Sequence, residues 1–313
     1  MKSDRRAYQL TRRGFCLGAA GLTGLAITPA WAAGEESAML QRAIPASGEL
    51  LPVIGLGTSN VFDVGSDPDD RAPLQEVLGL LLGAGGKLLD TSPMYGRAEE
   101  VAGDLSAAAR ARPRMFIATK VWTRGREAGL QQIETSMRLL RAPQLDLVQV
   151  HNLLDLDTHL ASLRRLQEQE KVRYVGITHY TVASQDDLAA IIRREPLDFV
   201  QLNYSIATRE AEQRLLPLAA ERKVATLINR PFEDGALFGR VRGKPLPPWA
   251  GEIGCASWAQ FFLKFIISHP AVTCVIPATA KPQHMRDNLA AGRGEMPDAK
   301  MRERMAQYVA NLS

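Results

Sequence analysis

Cysteine is scarce in this sequence, which holds three in 313 residues, at positions 16, 255 and 274. No two of them form a C-x-x-C pair or a metal-ligand spacing, so neither a thiolate metal site nor a dithiol redox centre is expected. A disulfide between Cys255 and Cys274 stays open in an oxidising compartment, but core burial of both is the simpler reading. No apolar run approaches the ~20 residues that a membrane-spanning helix needs. Excess charge is missing from most of the chain as well. The net charge of +4 is contained in residues 1–33, where Lys2, Arg5, Arg6, Arg12 and Arg13 face Asp4 alone. The neutral remainder offers no electrostatic case for nucleic acid or an anionic membrane as partner. A dinucleotide-binding glycine fingerprint is also absent. Gly55-x-Gly57-x-x-Asn60 lacks its third glycine, and Pro- and Asp-rich sequence follows where a helix should open.

The first 33 residues have an organisation of their own. Thr11-Arg12-Arg13-Gly14-Phe15 leads into a mildly apolar Gly/Ala-rich run from Cys16 to Thr28. Pro29-Ala30-Trp31-Ala32-Ala33 then supplies an Ala-x-Ala cleavage pattern. This order resembles a bacterial twin-arginine export signal. The resemblance implies a removable segment at 1–33, a mature domain at 34–313 and the twin-arginine translocase as a transient partner. It further implies a periplasmic destination with no stable membrane insertion after cleavage. Such transport moves folded proteins, often with a cofactor already inside.

The whole chain is 46% apolar and 23% charged, an ordinary globular balance. Buried-strand runs rich in Val, Ile and Leu appear at Val53–Thr58, Lys87–Thr91, Met115–Trp122 and Leu145–His151. Four more follow at Val172–Thr178, Phe199–Tyr204, Val224–Asn229 and Thr273–Pro277. Nearly continuous rather than alternating apolarity marks strands covered on both faces of a parallel sheet. Helical patterns lie between them at Leu74–Leu82, Glu99–Ala109, Leu130–Leu140, Leu160–Leu166, Leu188–Arg194, Ala211–Arg222, Ala256–Ile267 and Pro282–Ala291. Ser184-Gln185-Asp186-Asp187 reads as a capping box opening the fifth of these. Ala299–Val309 adds a terminal helix, and residues 39–52 a small hairpin across the barrel's bottom. Strict alternation of eight strands and eight helices predicts an α/β fold of the (β/α)8 TIM-barrel class. The long Gly-, Pro- and Trp-containing segment Glu233–Gly254 is a substrate-loop or lid candidate, with a passive surface loop as the alternative.

Sites on such barrels sit at the C-terminal ends of the strands. The second strand ends at Asp90, with Tyr95 on the loop that follows. The third carries Lys120 inside an apolar run, the fourth ends at His151, and the sixth holds Gln201 and Asn203. A lysine inside a buried strand is costly unless paired, and Asp90 on the adjacent strand is its natural partner. A structural ion pair alone leaves the tyrosine and histidine on the same rim unexplained. A phenol is too weak an acid near neutrality, so Lys120 is expected to lower the Tyr95 pKa. Tyr95 would then donate a proton to a developing alkoxide, with Asp90 holding Lys120 and His151 orienting the carbonyl oxygen.

Asp90, Tyr95, Lys120 and His151 resemble, in order and strand position, the catalytic tetrad of the aldo-keto reductases. Further matches are Gly55-Leu56-Gly57-Thr58, Gly176-Ile177-Thr178, Gln201-Leu202-Asn203-Tyr204-Ser205 and Ile276-Pro277-Ala278-Thr279 with Pro282 and Asn288. The resemblance spans about Leu51 to Ala291 and implies hydride transfer between a nicotinamide cofactor and a carbonyl substrate. It implies that Gln201, Thr178 and His179 hold the nicotinamide carboxamide and that Gly57 and Thr58 lie near its ribose. Asn229, Arg230 and Phe232 would flank the ring, and Ala278, Thr279, His284 and Asn288 the adenosine end. The Pro282 helix offers an N-terminus for phosphate.

Three departures stand out. Thr178-His179 replaces Ser-Asn, Asn229-Arg230-Pro231-Phe232 lacks the stacking aromatic, and Ala278 and His284 replace basic residues that grip the 2′-phosphate. NADP is the expected cofactor, with NAD possible, and a monomeric enzyme reducing aldehydes or ketones the expected protein. The alternative is an exported nicotinamide-binding sensor or partner subunit with little turnover. Substrate choice is expected to lie in the loops near Val61–Arg71, Thr123–Gly129 and Glu233–Gly254.

Overall fold

A computed structural model describes residues 38–312. The export signal expected at 1–33, with Cys16, lies outside the described residues. The described chain opens with an antiparallel hairpin, β1 (Gln41–Ala43) and β2 (Leu50–Pro52), paired Gln41 with Pro52 and Ala43 with Leu50. Eight parallel strands follow: β3 (Leu56–Gly57), β4 (Leu88–Asp90), β5 (Phe116–Val121), β6 (Leu145–His151), β7 (Val172–Thr178), β8 (Phe199–Asn203), β9 (Ala225–Asn229) and β10 (Cys274–Val275). Each pairs with its neighbour in chain order. Parallel bridges from Ile54 to Val275 and from Gly57 to Ala278 join the last strand to the first and close the barrel. Gly57 sits on this seam, where a Cβ would stand 2.8 Å from the Ile276 carbonyl oxygen. Any larger residue would push the two strands apart.

The helices are α1 (Pro68–Gly83), α2 (Ala98–Ala108), α3 (Arg126–Leu139), α4 (Leu156–Glu168), α5 (Gln185–Arg194), α6 (Leu215–Glu221), α7 (Ala236–Arg240), α8 (Trp258–Ile267), α9 (Pro282–Ala291) and α10 (Ala299–Ala310). The expected helix at Ala211–Arg222 divides into a 3-10 turn at Glu210–Glu212 and the shorter α6. Side-chain caps hold α1, α8 and α10, through Asp67, Ser257 and Asp298. The capping box expected at Ser184 does not form. Ser184 ends a 3-10 turn and makes no side-chain cap. Its hydroxyl lies instead 3.2 Å from His179 Nε2 and 3.0 Å from Thr181 Oγ1.

Strand alternation splits the core in two. Outward-facing Leu89, Ile117, Val148, Val150, Ile177 and Val200 meet the helices. Inward-facing Leu88, Phe116, Leu147, Tyr174, Phe199, Leu227 and Cys274 fill the barrel's lower half, with Ile44 and Leu51 of the hairpin closing it below. Phe116, Tyr174 and Phe199 form an aromatic cluster with centroids 5.5–5.8 Å apart. Cys255 and Cys274 are both buried free thiols, in agreement with core placement. Because the lower half is solid hydrocarbon, polar side chains can gather on the inner face only above it. That is where β4, β5, β6, β7 and β8 end.

Candidate active site

Register decides which inward side chains meet. Asp90 lies opposite Ala118, Lys120 opposite Gln149, His151 opposite Thr178, and Thr178 opposite Gln201. Lys120 is fully buried, and its Nζ donates to Asp90 Oδ2 at 2.7 Å and to the Thr91 carbonyl at 2.8 Å. A third N–H remains for Tyr95, whose ring centroid is 4.9 Å from Nζ. The other Asp90 oxygen, Oδ1, accepts from Gln201 Nε2 at 2.8 Å and from Gln149 Nε2 at 3.4 Å. One buried carboxylate therefore positions the ammonium and an amide together. Burial alone would lower the Lys120 pKa, but the Asp90 charge overrides it and the net shift is upward.

Lys120 does pull the Tyr95 pKa down, as expected, but it does not decide the net direction. Burial pushes the phenol up, the Lys120 charge and hydrogen bond pull it down, Asp90 pushes it up again, and the net direction is upward. The phenol is therefore protonated, as a proton donor must be. Its acidity has to be matched to an alkoxide forming in the same buried, cation-bearing place. What counts is the difference between two anions that both face Lys120, and burial penalises both.

His151 is buried with its ring edge-on to Tyr95, centroids 6.1 Å apart. Burial and the Lys120 charge drop its pKa to about 3, so the imidazole is neutral. Its Nδ1 lies 3.1 Å from Ser92 Oγ. After His151 the chain turns sharply through left-handed Asn152, Leu153 and Asp155, with φ of 51°, 58° and 50°.

These groups open into a cavity of about 730 Å³. Gly57, Thr58, Asp90, Tyr95, His151, Thr178, Gln201, Asn229, Arg230, Phe232 and Ala278 all line it. His179, Thr279, His284 and Asn288 do not. Thr279 Oγ1 accepts the Lys281 N–H at 3.0 Å, Asn288 is buried within α9, and His284 is exposed. The His179 ring is taken up by Thr181 and Ser184. Sequence reasoning had not picked out Ser92, Met94, Trp122, Tyr180, Asp234 or Phe238. Of the loops expected to shape the substrate site, Val61–Arg71 and Thr123–Gly129 contribute nothing to the lining. Glu233–Gly254 contributes Asp234, Gly235 and Phe238. Farther along, that segment is fixed to the barrel, with Trp249 packed on Phe261 and the Lys244 carbonyl bonded to Trp258.

The residues present fit a nicotinamide. Asn229 Nδ2 reaches Gln201 Oε1 at 3.4 Å, Thr178 Oγ1 reaches the same oxygen at 3.1 Å, and Asn229 Oδ1 is buried with no partner. That is a polar cluster with an unused acceptor, suited to a carboxamide. Helix α9 begins with Pro282 and has no side-chain cap. Its first N–H groups are thus available to an anion.

A parallel eight-stranded barrel with an Asp–Lys–Tyr–His cluster at its C-terminal mouth defines a class of carbonyl oxidoreductase. Residues 53–306 match the Aldo/keto reductase family, and the chain belongs to it. Its members reduce aldehyde or ketone carbonyls by hydride transfer from a nicotinamide cofactor, and this favours the enzyme over the sensor alternative. The chain is 29% identical to methylglyoxal reductase YeaE of Escherichia coli over 274 residues, 84% of this chain and 93% of the relative. It is 27% identical to aldo-keto reductase YhdN of Bacillus subtilis over 203 residues, 60% of each chain. An aldo-keto reductase of Klebsiella pneumoniae, solved in complex with NADPH, superimposes with a TM-score of 0.71 at 23% identity. The match covers 87% of this chain and 96% of that one, and supports the fold.

Proposed function

We propose that this chain reduces small aldehydes or ketones with NADPH, with Tyr95 as the proton donor. The observation that carries the reading is the contact of Lys120 with Asp90 below Tyr95 and beside His151, at the mouth of the cavity. Thr178, Gln201 and Asn229 would hold a nicotinamide, which would supply the hydride. Neutral His151 donates a hydrogen bond to the carbonyl oxygen and orients it. Tyr95 protonates that oxygen as negative charge develops there. Lys120 stabilises the phenolate left behind, and Asp90 fixes Lys120. NADPH is carried over from fold neighbours solved with it, and a 2-oxoaldehyde is the first substrate to try because of a relative's named activity.

Tyr95→Phe tests the assignment. Loss of a positioned general acid costs about 10²–10⁴-fold, so carbonyl reduction should fall by that factor while NADPH binding, read by fluorescence titration, stays within about twofold. A variant as active as the parent would refute the role. The proposal includes export by the twin-arginine route to the periplasm, which rests on residues 1–33 of the sequence alone. Fusing residues 1–40 to a folded reporter tests it, and a reporter retained in the cytoplasm refutes it.

A further inference from the structure

We propose that Ser92 is a positioning residue that sets which nitrogen of His151 carries the proton, and so makes the catalytic imidazole a donor toward the carbonyl. This rests on the proposed role of His151 above. Ser92 is fully buried on the loop after β4, two residues beyond Asp90. Its hydroxyl has two polar neighbours. The Met94 N–H donates to Oγ at 3.4 Å, and His151 Nδ1 lies 3.1 Å away.

A hydroxyl has one proton to give. The amide of Met94 can only donate, so the one acceptor in reach of the Ser92 proton among the described residues is Nδ1. Were Nδ1 itself protonated, two donors would converge on Oγ and the hydroxyl proton would be buried without an acceptor. That arrangement costs the desolvation of an unmade hydrogen bond. The consistent pattern runs Met94 N–H to Ser92 Oγ, then Ser92 O–H to His151 Nδ1, which leaves the His151 proton on Nε2. Nε2 has no partner among the described residues, and His151 lines the cavity.

The choice of nitrogen matters because the ring is neutral. An imidazolium would present an N–H at either position. A neutral ring has one, and in the other tautomer Nε2 would aim a lone pair at the carbonyl oxygen. Lys120 and burial hold the ring neutral, and Ser92 decides where the remaining proton sits and fixes the ring against rotation. Ser92 does not touch the substrate and moves no proton in the reaction.

Nitrogen-15 NMR of the full mature chain labelled at histidine provides the test, without and with NADP. The expected spectrum shows His151 Nδ1 as a hydrogen-bonded pyridine-type nitrogen and Nε2 as a pyrrole-type N–H. Ser92→Ala should move the Nδ1 resonance, lower kcat by about tenfold and leave the NADPH dissociation constant and KM within about twofold. Ser92→Thr retains the hydroxyl and should restore both the resonance and kcat. A pyrrole-type Nδ1 in the parent overturns the proposal whatever the variants do. So does a Ser92→Ala enzyme with parental kcat. If Tyr95→Phe proves fully active but the His151 tautomer is as expected, the catalytic reading fails while the Ser92 assignment stands.

Discussion

Replacing Lys120 by Met separates the two things this lysine does. The side chain is fully buried and its ammonium sits 2.7 Å from an Asp90 carboxylate that is itself 3% exposed. Met fills a similar volume but leaves Asp90 Oδ2 and the Thr91 carbonyl without a donor, and the carboxylate without its counter-charge. Removing one partner of a buried pair costs about 3–5 kcal/mol, because the other charge is left uncompensated. At about 2–4 °C per kcal/mol for a domain of roughly this size, the melting temperature should fall by on the order of 10 °C. Adding Asp90→Asn removes the stranded charge, and the double variant should recover at least half of that loss while remaining inactive. Burial pulls the Lys120 pKa down, Asp90 pulls it up, and the upward pull prevails. The stabilisation is therefore complete below the unfolded lysine value near ~10.4 and lost as pH rises through the folded value. Differential scanning calorimetry of parent, single and double variants from pH 7 to 11 measures each part. A Lys120→Met protein that melts with the parent, or a double variant whose loss is the sum of two singles, would refute the argument.

Two further outcomes follow from the same geometry. Burial, then the Lys120 charge, place the His151 pKa at about 3. Between the unfolded value near ~6.5 and 3 the unfolded chain therefore holds a proton that the folded chain lacks, and stability falls as pH falls. Urea unfolding at pH 6.5 and 4.5 should show His151→Gln losing less stability than the parent over that interval, and equal losses would contradict the neutral ring. For the cofactor, His179→Ala should change the NADPH dissociation constant less than twofold, since both ring nitrogens are engaged with Thr181 and Ser184. Asn229→Ala should weaken binding about tenfold, the scale of one buried hydrogen bond. Fluorescence titration decides, and the reverse order would return the carboxamide contact to His179.

What could be read before folding was whatever a strand must declare in its own residues. Lys120 was visible because an ammonium inside Phe116–Val121 has no cheap alternative to a carboxylate, and the parallel neighbour ends in Asp90, in register with Ala118 two residues before the lysine. The barrel itself followed from eight doubly covered strands, whose observed ends fall within about three residues of the apolar runs. The failures share a cause: each depended on a partner supplied by the fold. Ser184 looked like a cap until His179, five residues earlier, was turned back onto its hydroxyl. His179 looked like a cofactor contact because it follows Thr178. At the end of β7, however, Thr178 faces the cavity and His179 packs against the start of α5. Ser92 meets a residue 59 positions away, a contact that no local pattern announces. The Tyr95 pKa went the other way because desolvation belongs to the folded surroundings rather than to any neighbour in sequence.

Asp90 then carries more than the single duty its sequence position suggested. With one oxygen on Lys120 and the other on Gln201, it sits between the proton-donating side and the amide cluster proposed for the nicotinamide. A carboxylate bonded on one side alone could rotate about its Cβ–Cγ axis. Held on both, it fixes the angle between the two halves of the site. Hydride and proton must reach opposite ends of the same carbonyl, and small errors of placement are expensive in such reactions. Asn229 fits this logic, since its amide extends the Asp90–Gln201 line toward the next strand through Gln201 Oε1. Asn229 thus places an amide in the cavity while the His179 ring is turned onto Thr181 and Ser184, and the buried carboxylate ties the ammonium to the amide cluster.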